Sequence, residues 1–208
     1  MKGLLLKDYY TIKDTLLIQL ITLSAIGVGM SFAITPLVFI VISTSTFSLF
    51  SSTTIVSDKT SGWNMFSNTI PISKEKVIRS KYLLSILLIL VGLFLGVILS
   101  LSMSLIMGDF ESDKLFMFVL VGLSISLSST STSIPLSILF DDKKQVLAML
   151  FSVLIPTILM VATLLVTSLF IDLQQNIMTL AYLMFAVGVI MFLFSLFVAP
   201  TVLSKKDS

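Results

Sequence analysis

Residues 82–108, YLLSILLILVGLFLGVILSLSMSLIMG, decide the fold. The stretch runs 27 residues without a charge. A strand crossing a membrane alternates apolar and polar residues over about 10 positions. This stretch is apolar on every side, as a lipid-embedded helix is. A helix needs about 20 such residues to cross the hydrocarbon layer. Further charge-free intervals occupy 15–57, 115–140, 145–171 and 173–204. The first of these, 43 residues long, is too long for one span and right for two. Thr35-Pro36 lies near its middle, where proline's missing N–H and its restriction of the preceding residue favour a break. Six spans result, at about 15–34, 37–56, 82–107, 115–139, 146–170 and 178–203. The fold class is an all-α integral membrane protein, one transmembrane domain over residues 1–208.

Composition agrees. The chain is 56% apolar and 12% charged, with a mean hydropathy of +1.11. Soluble domains are about 25% charged, so this chain has too little charge to coat a water-facing surface. Disorder is excluded, since disordered chains are polar and charge-rich. A net charge of +2 without a basic patch interleaved with aromatics excludes a soluble nucleic-acid binder. Orientation follows Lys and Arg. With both termini inside, the segments 1–14, 57–81, 141–144 and 204–208 hold 12 of the 13 basic residues; only Lys114 lies outside, beside Asp109, Glu111, Asp113 and Asp172. The first apolar run far exceeds the 7–15 residues of a signal-peptide core, so it is expected to stay as a span rather than be cleaved.

Several chemistries lack their residues. The chain has no Cys and no His, which removes thiolate sites, Ser-His catalysis and the commonest metal ligand. There is no P-loop and no segment large enough for a nucleotide-binding domain, so ATP-driven work needs a separate subunit. Gly108-Asp109 follows Ile106-Met107 and makes no Gly-x-Gly-Asp aspartyl motif. Asp141-Asp142 is followed by Lys143-Lys144-Gln145 and reads as a solvated turn rather than a metal site. The six spans contain no Asp, Glu, Lys, Arg or His, which disfavours an ion-coupled carrier. No catalytic, metal-binding or cofactor-binding residue is assigned.

The most informative loop is SDKTSGWNMFSNTIPISKEKVIRSKYLL, residues 57–84. Ser61 is placed to cap a short helix, Gly62 allows a sharp turn, and Pro71 disfavours helix at Ile70. Trp63, Phe66 and Ile70 share one face, flanked by Met65. Ser73 is placed to cap a second helix whose basic face, Lys74, Lys76, Arg79 and Lys81, runs into the third span. On physical grounds alone an interfacial loop fits, with aromatics at the headgroups and cations on anionic lipid.

Three runs carry a resemblance: Asp58-Lys59-Thr60-Ser61-Gly62-Trp63, Ile70-Pro71-Ile72-Ser73-Lys74 and Val77-Ile78-Arg79-Ser80-Lys81-Tyr82. In this order on a six-span frame they resemble the small bacterial branch of ABC-2 type transporter permeases. Met1-Lys2-Gly3-Leu4-Leu5-Leu6-Lys7-Asp8 is similar to that branch's N-terminal elbow helix. Ser133-Ile134-Pro135-Leu136 and Phe140-Asp141-Asp142-Lys143-Lys144 are similar to a later passage of it. The resemblance implies a type V exporter-like fold: an elbow helix over 1–14 along the inner surface, and a coupling helix within the cytoplasmic loop 57–81. It implies a homo- or heterodimeric permease paired with soluble ABC ATPase subunits that hold ATP and Mg. Coupling to the ATPase would fall to Asp58, Gly62, Trp63, Phe66, Pro71 and Lys74. Within the branch, the likeness is to membrane subunits of exporters of phenol-soluble modulins, small amphipathic peptide toxins. The sequence departs from the pattern in carrying Asp58 where Glu is usual. The polar link 172–176 is also too short for the outer re-entrant segment of larger members.

Inside the spans, the second and fourth are rich in hydroxyls. On the fourth, Ser126, Ser129, Thr130 and Ser133 have two readings: close helix packing, with hydroxyls bonding back one turn, or a polar stripe along a substrate path. Gly92 and Gly96 form a small-xxx-small pair for packing or dimer contact. Pro156 is expected to kink the fifth span. Leu5, Tyr9, Ile12 and Leu16 follow helical spacing, with Lys2, Lys7 and Lys13 reaching the headgroups.

The reading is a permease subunit of an ATP-binding cassette exporter for amphipathic peptides or other amphiphiles. It is a membrane subunit without its own ATPase site, multi-pass in the cell membrane, binding lipid and no nucleic acid. The alternatives are an ATPase-independent carrier or channel and a non-transporting immunity or scaffold protein. The topology is open to a clean test, since single cysteines can be introduced without background. Positions in 109–113 and 173–176 are expected to label from outside and those in 74–80 are not; external labelling at Ser73 would reverse the orientation.

Overall fold

The computed structural model describes residues 2–31, 35–67, 69, 72–108, 112–140, 144–169 and 176–206. These form seven helices: α1 (Lys2–Ser31), α2 (Val38–Thr60), α3 (Trp63–Ser67), α4 (Lys74–Met107), α5 (Ser112–Leu139), α6 (Gln145–Ser168) and α7 (Ile177–Lys206). Among the described residues, α2, α4, α5, α6 and α7 are long and apolar enough to cross a membrane. α1 is not among them; its first half carries Lys2, Lys7, Asp8, Lys13 and Asp14.

Three boundaries differ from expectation. The segments expected to form an elbow helix and a first span lie in one continuous helix, because nothing between Gly3 and Gly27 breaks it. Ser61 ends α2 instead of starting α3: its N–H bonds the Ser57 carbonyl, and Gly62, at φ 72°, makes the left-handed turn that only glycine adopts without strain. Ser73 does stand before α4, in extended conformation, but its carbonyl rather than its hydroxyl receives the first helical bonds, from Lys76 and Val77. The break at Thr35-Pro36 is as expected, with a turn at Pro36-Leu37 and α2 starting at Val38. Ile70, Pro71, Asp109, Glu111, Asp141, Asp142, Lys143 and the 171–175 part of the outer link lie outside the described residues.

α2 lies between α4 and α5, and α5 in turn packs on α7 and α6. The seams are narrow because small residues line them. A Cβ on Gly92 would come within 2.8 Å of Phe47 Cβ and 2.9 Å of the Ser43 carbonyl oxygen; on Gly96 it would meet the Ile40 backbone at 2.9 Å. Gly92 and Gly96 are thus spent on α2 within the chain, and the dimer-contact reading of the pair falls away. Ser43 Oγ crosses the seam to donate to the Gly92 carbonyl at 2.6 Å. Most other hydroxyls of α2 and α5 bond back to their own helix, as Thr44 does to Ile40 (2.8 Å) and Thr54 to Ser51 (2.8 Å). α6 is peripheral: only Gln145, Ala148, Ser152, Pro156 and Met160 are buried, and the rest of its apolar surface faces outward.

Pro135, Pro156 and Pro200 lie inside helices and each frees a carbonyl four residues earlier; at the first two, a hydroxyl of another helix lies against that carbonyl. Pro135 frees that of Ser131, and Ser195 Oγ of α7 donates to it at 2.7 Å. That donation uses the one serine hydrogen, so Tyr82 OH, 2.6 Å away on α4, is the donor to Ser195 Oγ. Pro156 frees the Ser152 carbonyl; Thr132 Oγ1 of α5 lies 3.1 Å from it and 3.0 Å from the Ser129 carbonyl, its one hydrogen serving both. Buried Tyr82 also meets Phe192 edge-on at 5.7 Å. With Ile55, Ile78, Ile134 and Ala199 these rings form the apolar core at the α3 end of the bundle.

Ser195→Ala orphans both the Ser131 carbonyl and the Tyr82 hydroxyl. It is expected to destabilise the bundle by about 1–2 kcal/mol, measured by chemical unfolding in detergent. In a Pro135→Ala, Tyr82→Phe background neither group depends on the serine, and the same change is expected to cost much less. Equal costs in the two backgrounds would show that Ser195 does not answer the proline.

Candidate functional site

The polar groups of the bundle converge at one end, where α1 begins, α2 ends and α4 begins. On α1, Leu4, Asp8 and Ile12 are buried in successive turns, while Tyr9 faces outward. The fully buried stripe therefore runs through Asp8 and leaves out Tyr9, while Leu5 and Leu16 of the expected apolar pattern are partly buried and pack with Ile12 against Phe50, Leu84 and Leu88. On α4 the buried stripe Ile78, Lys81, Tyr82, Ser85 includes a lysine, while Lys76 and Arg79 are exposed. On α2 it is Thr54, Ile55 and Asp58.

These stripes bring two acids and two bases together. Lys81 is 3% exposed, Asp58 5% and Asp8 1%. Lys81 Nζ donates to Asp8 Oδ1 at 2.7 Å, to Asp58 Oδ2 at 2.6 Å and to Thr54 Oγ1 at 3.1 Å. Lys7 Nζ donates to Asp58 Oδ1 and lies 3.1 Å from Asp8 Oδ1. The cluster is electroneutral, which is what allows four charges to be buried at all: removing water from an ion is costly unless a counter-ion and hydrogen bonds replace it. Lys81 is thus not part of the outward basic face expected of it, and Lys7 does not reach for headgroups. The exposed Glu75–Arg79 pair, 2.6 Å apart one turn along α4, is a surface pair of small energetic weight.

α3 sits beside this cluster. The Phe66 N–H bonds the Gly62 carbonyl at 3.3 Å, and the Thr69 N–H and hydroxyl bond the Phe66 carbonyl at 3.0 and 2.7 Å. The Trp63 and Phe66 rings are 5.4 Å apart. Their environments differ. Phe66 is 56% exposed; Trp63 is half-buried, with the Lys7 ammonium 4.4 Å from its ring centroid and its Nε1 without a hydrogen-bond partner among the described residues. Lys59, next to Asp58, turns the opposite way and donates to the Phe140 carbonyl at 2.5 Å and the Ile138 carbonyl at 3.3 Å, at the end of α5. A cation suits the negative end of a helix.

Of the residues singled out in the sequence, Asp58, Gly62, Trp63, Phe66 and Lys74 meet at this end; Lys74 is the first residue of α4. Asp58 points inward to the two lysines, not outward. Pro71 lies outside the described residues. Ser126, Ser129, Thr130 and Ser133 lie apart, buried in α5; Ser126 bonds the Gly122 carbonyl (2.7 Å), Thr130 that of Ser126 (2.8 Å) and Ser133 that of Thr130 (3.5 Å). Pro156 is on the buried stripe of α6. Sequence reasoning missed Lys7, Asp8, Thr54 and Lys81 as partners. Their signal was register: each charge stands one helical turn from residues that bury, Asp8 between Leu4 and Ile12, Lys81 between Ile78 and Ser85. Among the described residues no group of three or more His, Cys, Asp or Glu could hold a metal.

Compared with known protein families, residues 3–202 match the model described as ABC-2 family transporter protein. No curated protein and no solved structure matches the chain.

Lys81→Met leaves two buried carboxylates facing Lys7 alone. It is expected to cost about 3–5 kcal/mol in unfolding experiments. Adding Asp58→Asn restores neutrality around the remaining Lys7–Asp8 pair, so the double variant is expected to be more stable than the sum of the single effects allows. Additive losses would mean that the two residues do not act as a pair.

Proposed function

The chain belongs to the ABC-2 transporter family, and on that premise we propose that it is the permease subunit of an ATP-binding cassette exporter, driven by a separate ATPase that binds ATP and Mg. It pairs with a second permease, identical or related, in the cell membrane, with α1 through its apolar second half as the sixth span and both termini in the cytoplasm. Its cargo is an amphipathic peptide or another amphiphile, which leaves along a path between the two permeases. The hydroxyls Ser126, Ser129, Thr130 and Ser133 serve packing, since within one chain they are closed against neighbouring helices.

The observation that carries this reading is α3. A five-residue helix has no stability of its own in water. Here it is held at the bundle end by the Gly62 turn and by Trp63 against Lys7, and it presents Phe66 outward. An exposed aromatic on a short helix fixed to a rigid end suits insertion into a groove on an ATPase surface, where such rings dominate binding. The two aromatics then divide the work: Phe66 docks, and Trp63 holds the helix in place.

Purified alone, the chain is expected to hydrolyse no ATP, as it has no phosphate-cradling loop. Co-expressed with its ATPase, it is expected to co-purify with it. Phe66→Ala is expected to weaken that association by about thirtyfold, the effect of losing about 2 kcal/mol at an interface hot spot. Pull-down and peptide export, measured side by side at matched expression, check this. Wild-type behaviour of Phe66→Ala in both would make Phe66 a headgroup anchor and remove α3 from the interface.

A further inference from the structure

We infer that Lys7, Asp8, Asp58 and Lys81 form a positioning network that ties the N-terminal helix to the coupling helix, with the Lys7 ammonium bonded to the network on one side and to the Trp63 ring on the other. The inference rests on the reading of α3 as the coupling helix, and it assigns to α1 a part in coupling that no resemblance or family match supplies.

The argument begins with the valence of the two ammonium groups. Each has three N–H donors. Lys81 spends its three on Asp8, Asp58 and Thr54. Lys7 faces Asp58 and Asp8, and its remaining side faces the Trp63 ring at 4.4 Å. The two carboxylates each touch both lysines, so the four side chains close a ring of alternating charge. Trp63 is the group of α3 that the described contacts attach to that ring. Among the described residues its indole N–H has no partner, and the cation on its face is the polar contact that fixes the ring's place.

The ring's members come from three helices. α2 and α4 are the helices that lead into and out of the α3 loop, and α1 is the third. A displacement of α3 therefore moves Trp63 against Lys7, and Lys7 cannot follow without pulling on Asp58 and Asp8. Neither carboxylate has water to turn to, since both are buried. Lys7 is the least buried member, its side chain 24% exposed, and is the residue whose replacement disturbs the fold least.

The chain contains one tryptophan, and it is Trp63. Its fluorescence reports this contact alone, in the purified permease without any ATPase. Lys7→Met is expected to shift Trp63 emission and to raise its quenching by acrylamide. The ratio of docked to undocked α3 is expected to fall about three- to tenfold, the scale of losing a partly buried cation–π contact. Lys7→Arg keeps the charge, the ion pairs and the stacking, and is expected to behave as wild type. Asp58→Asn, which removes one of the two carboxylates that hold Lys7 without touching Trp63, is expected to move the signal in the same direction as Lys7→Met. Unchanged emission and quenching in folded Lys7→Met would overturn the network. ATPase pull-down and export are then measured on the same variants. A loosened Trp63 with weaker ATPase association supports the inference in full. A loosened Trp63 with wild-type association and export leaves the network standing as the anchor of α3, and it is the assignment of α3 as coupling helix that fails.

Discussion

Polar groups inside this bundle have no water to turn to, and most find their partner in the protein; among the described residues the buried Ser100 and Ser104 hydroxyls and the Gln145 amide are left without one. That constraint organises the chain more than apolar packing does, because apolar side chains are equally comfortable against lipid. It explains why hydroxyls are so frequent on α2 and α5, the two central helices: most fold back onto a carbonyl of their own helix and leave a thin, nearly apolar seam. It explains the ring of Lys7, Asp8, Asp58 and Lys81, in which no charge lacks an opposite neighbour. It also explains Ser195 and Thr132, each of which crosses to a carbonyl that a proline has freed.

Five of the six expected spans were legible in the sequence because charge-free length and apolar content are sufficient to specify a helix in lipid. The start of α4 at residue 74 and the break at Pro36 were legible for the same local reasons. The continuity of α1 was less so. Charges at Lys7, Asp8, Lys13 and Asp14 suggest a separate surface helix, yet charge does not break a helix; only backbone chemistry does, and none intervenes before Gly27. The aromatic pair in the loop was found from spacing alone, but the difference between Trp63 and Phe66 was not, because it depends on Lys7, 56 positions away along the chain. Lys81 was misread for a similar reason. It belongs to a run of basic residues, and only the bundle geometry reveals that its face of α4 looks inward while that of Lys76 and Arg79 looks out.

Adjacent residues at the α3 end repeatedly point to different partners. Asp58 faces α1 and α4, while Lys59 faces the end of α5. Lys81 faces α1 and α2, while Tyr82 faces α7. Successive residues on a helix are about 100° apart, so two neighbours can serve two seams at once. The result is that the short segment around α3 is connected, through two dipeptides, to α1, α5 and α7. A load applied at α3 is shared by most of the bundle.

The proline–hydroxyl pairs have a consequence on the timescale of sequence drift. Pro135 and Ser195 are 60 positions apart, and Pro156 and Thr132 are 24 apart, yet each pair answers a single vacancy in a backbone ladder. A lineage that lost Ser195 while keeping Pro135 would carry an unanswered carbonyl, and one that lost Pro135 first would leave only the Tyr82 hydroxyl depending on the serine. Losing the proline before the hydroxyl is thus the less costly order, because a buried carbonyl without a partner is expensive. Helices that never touch along the sequence inherit a shared history through one oxygen atom.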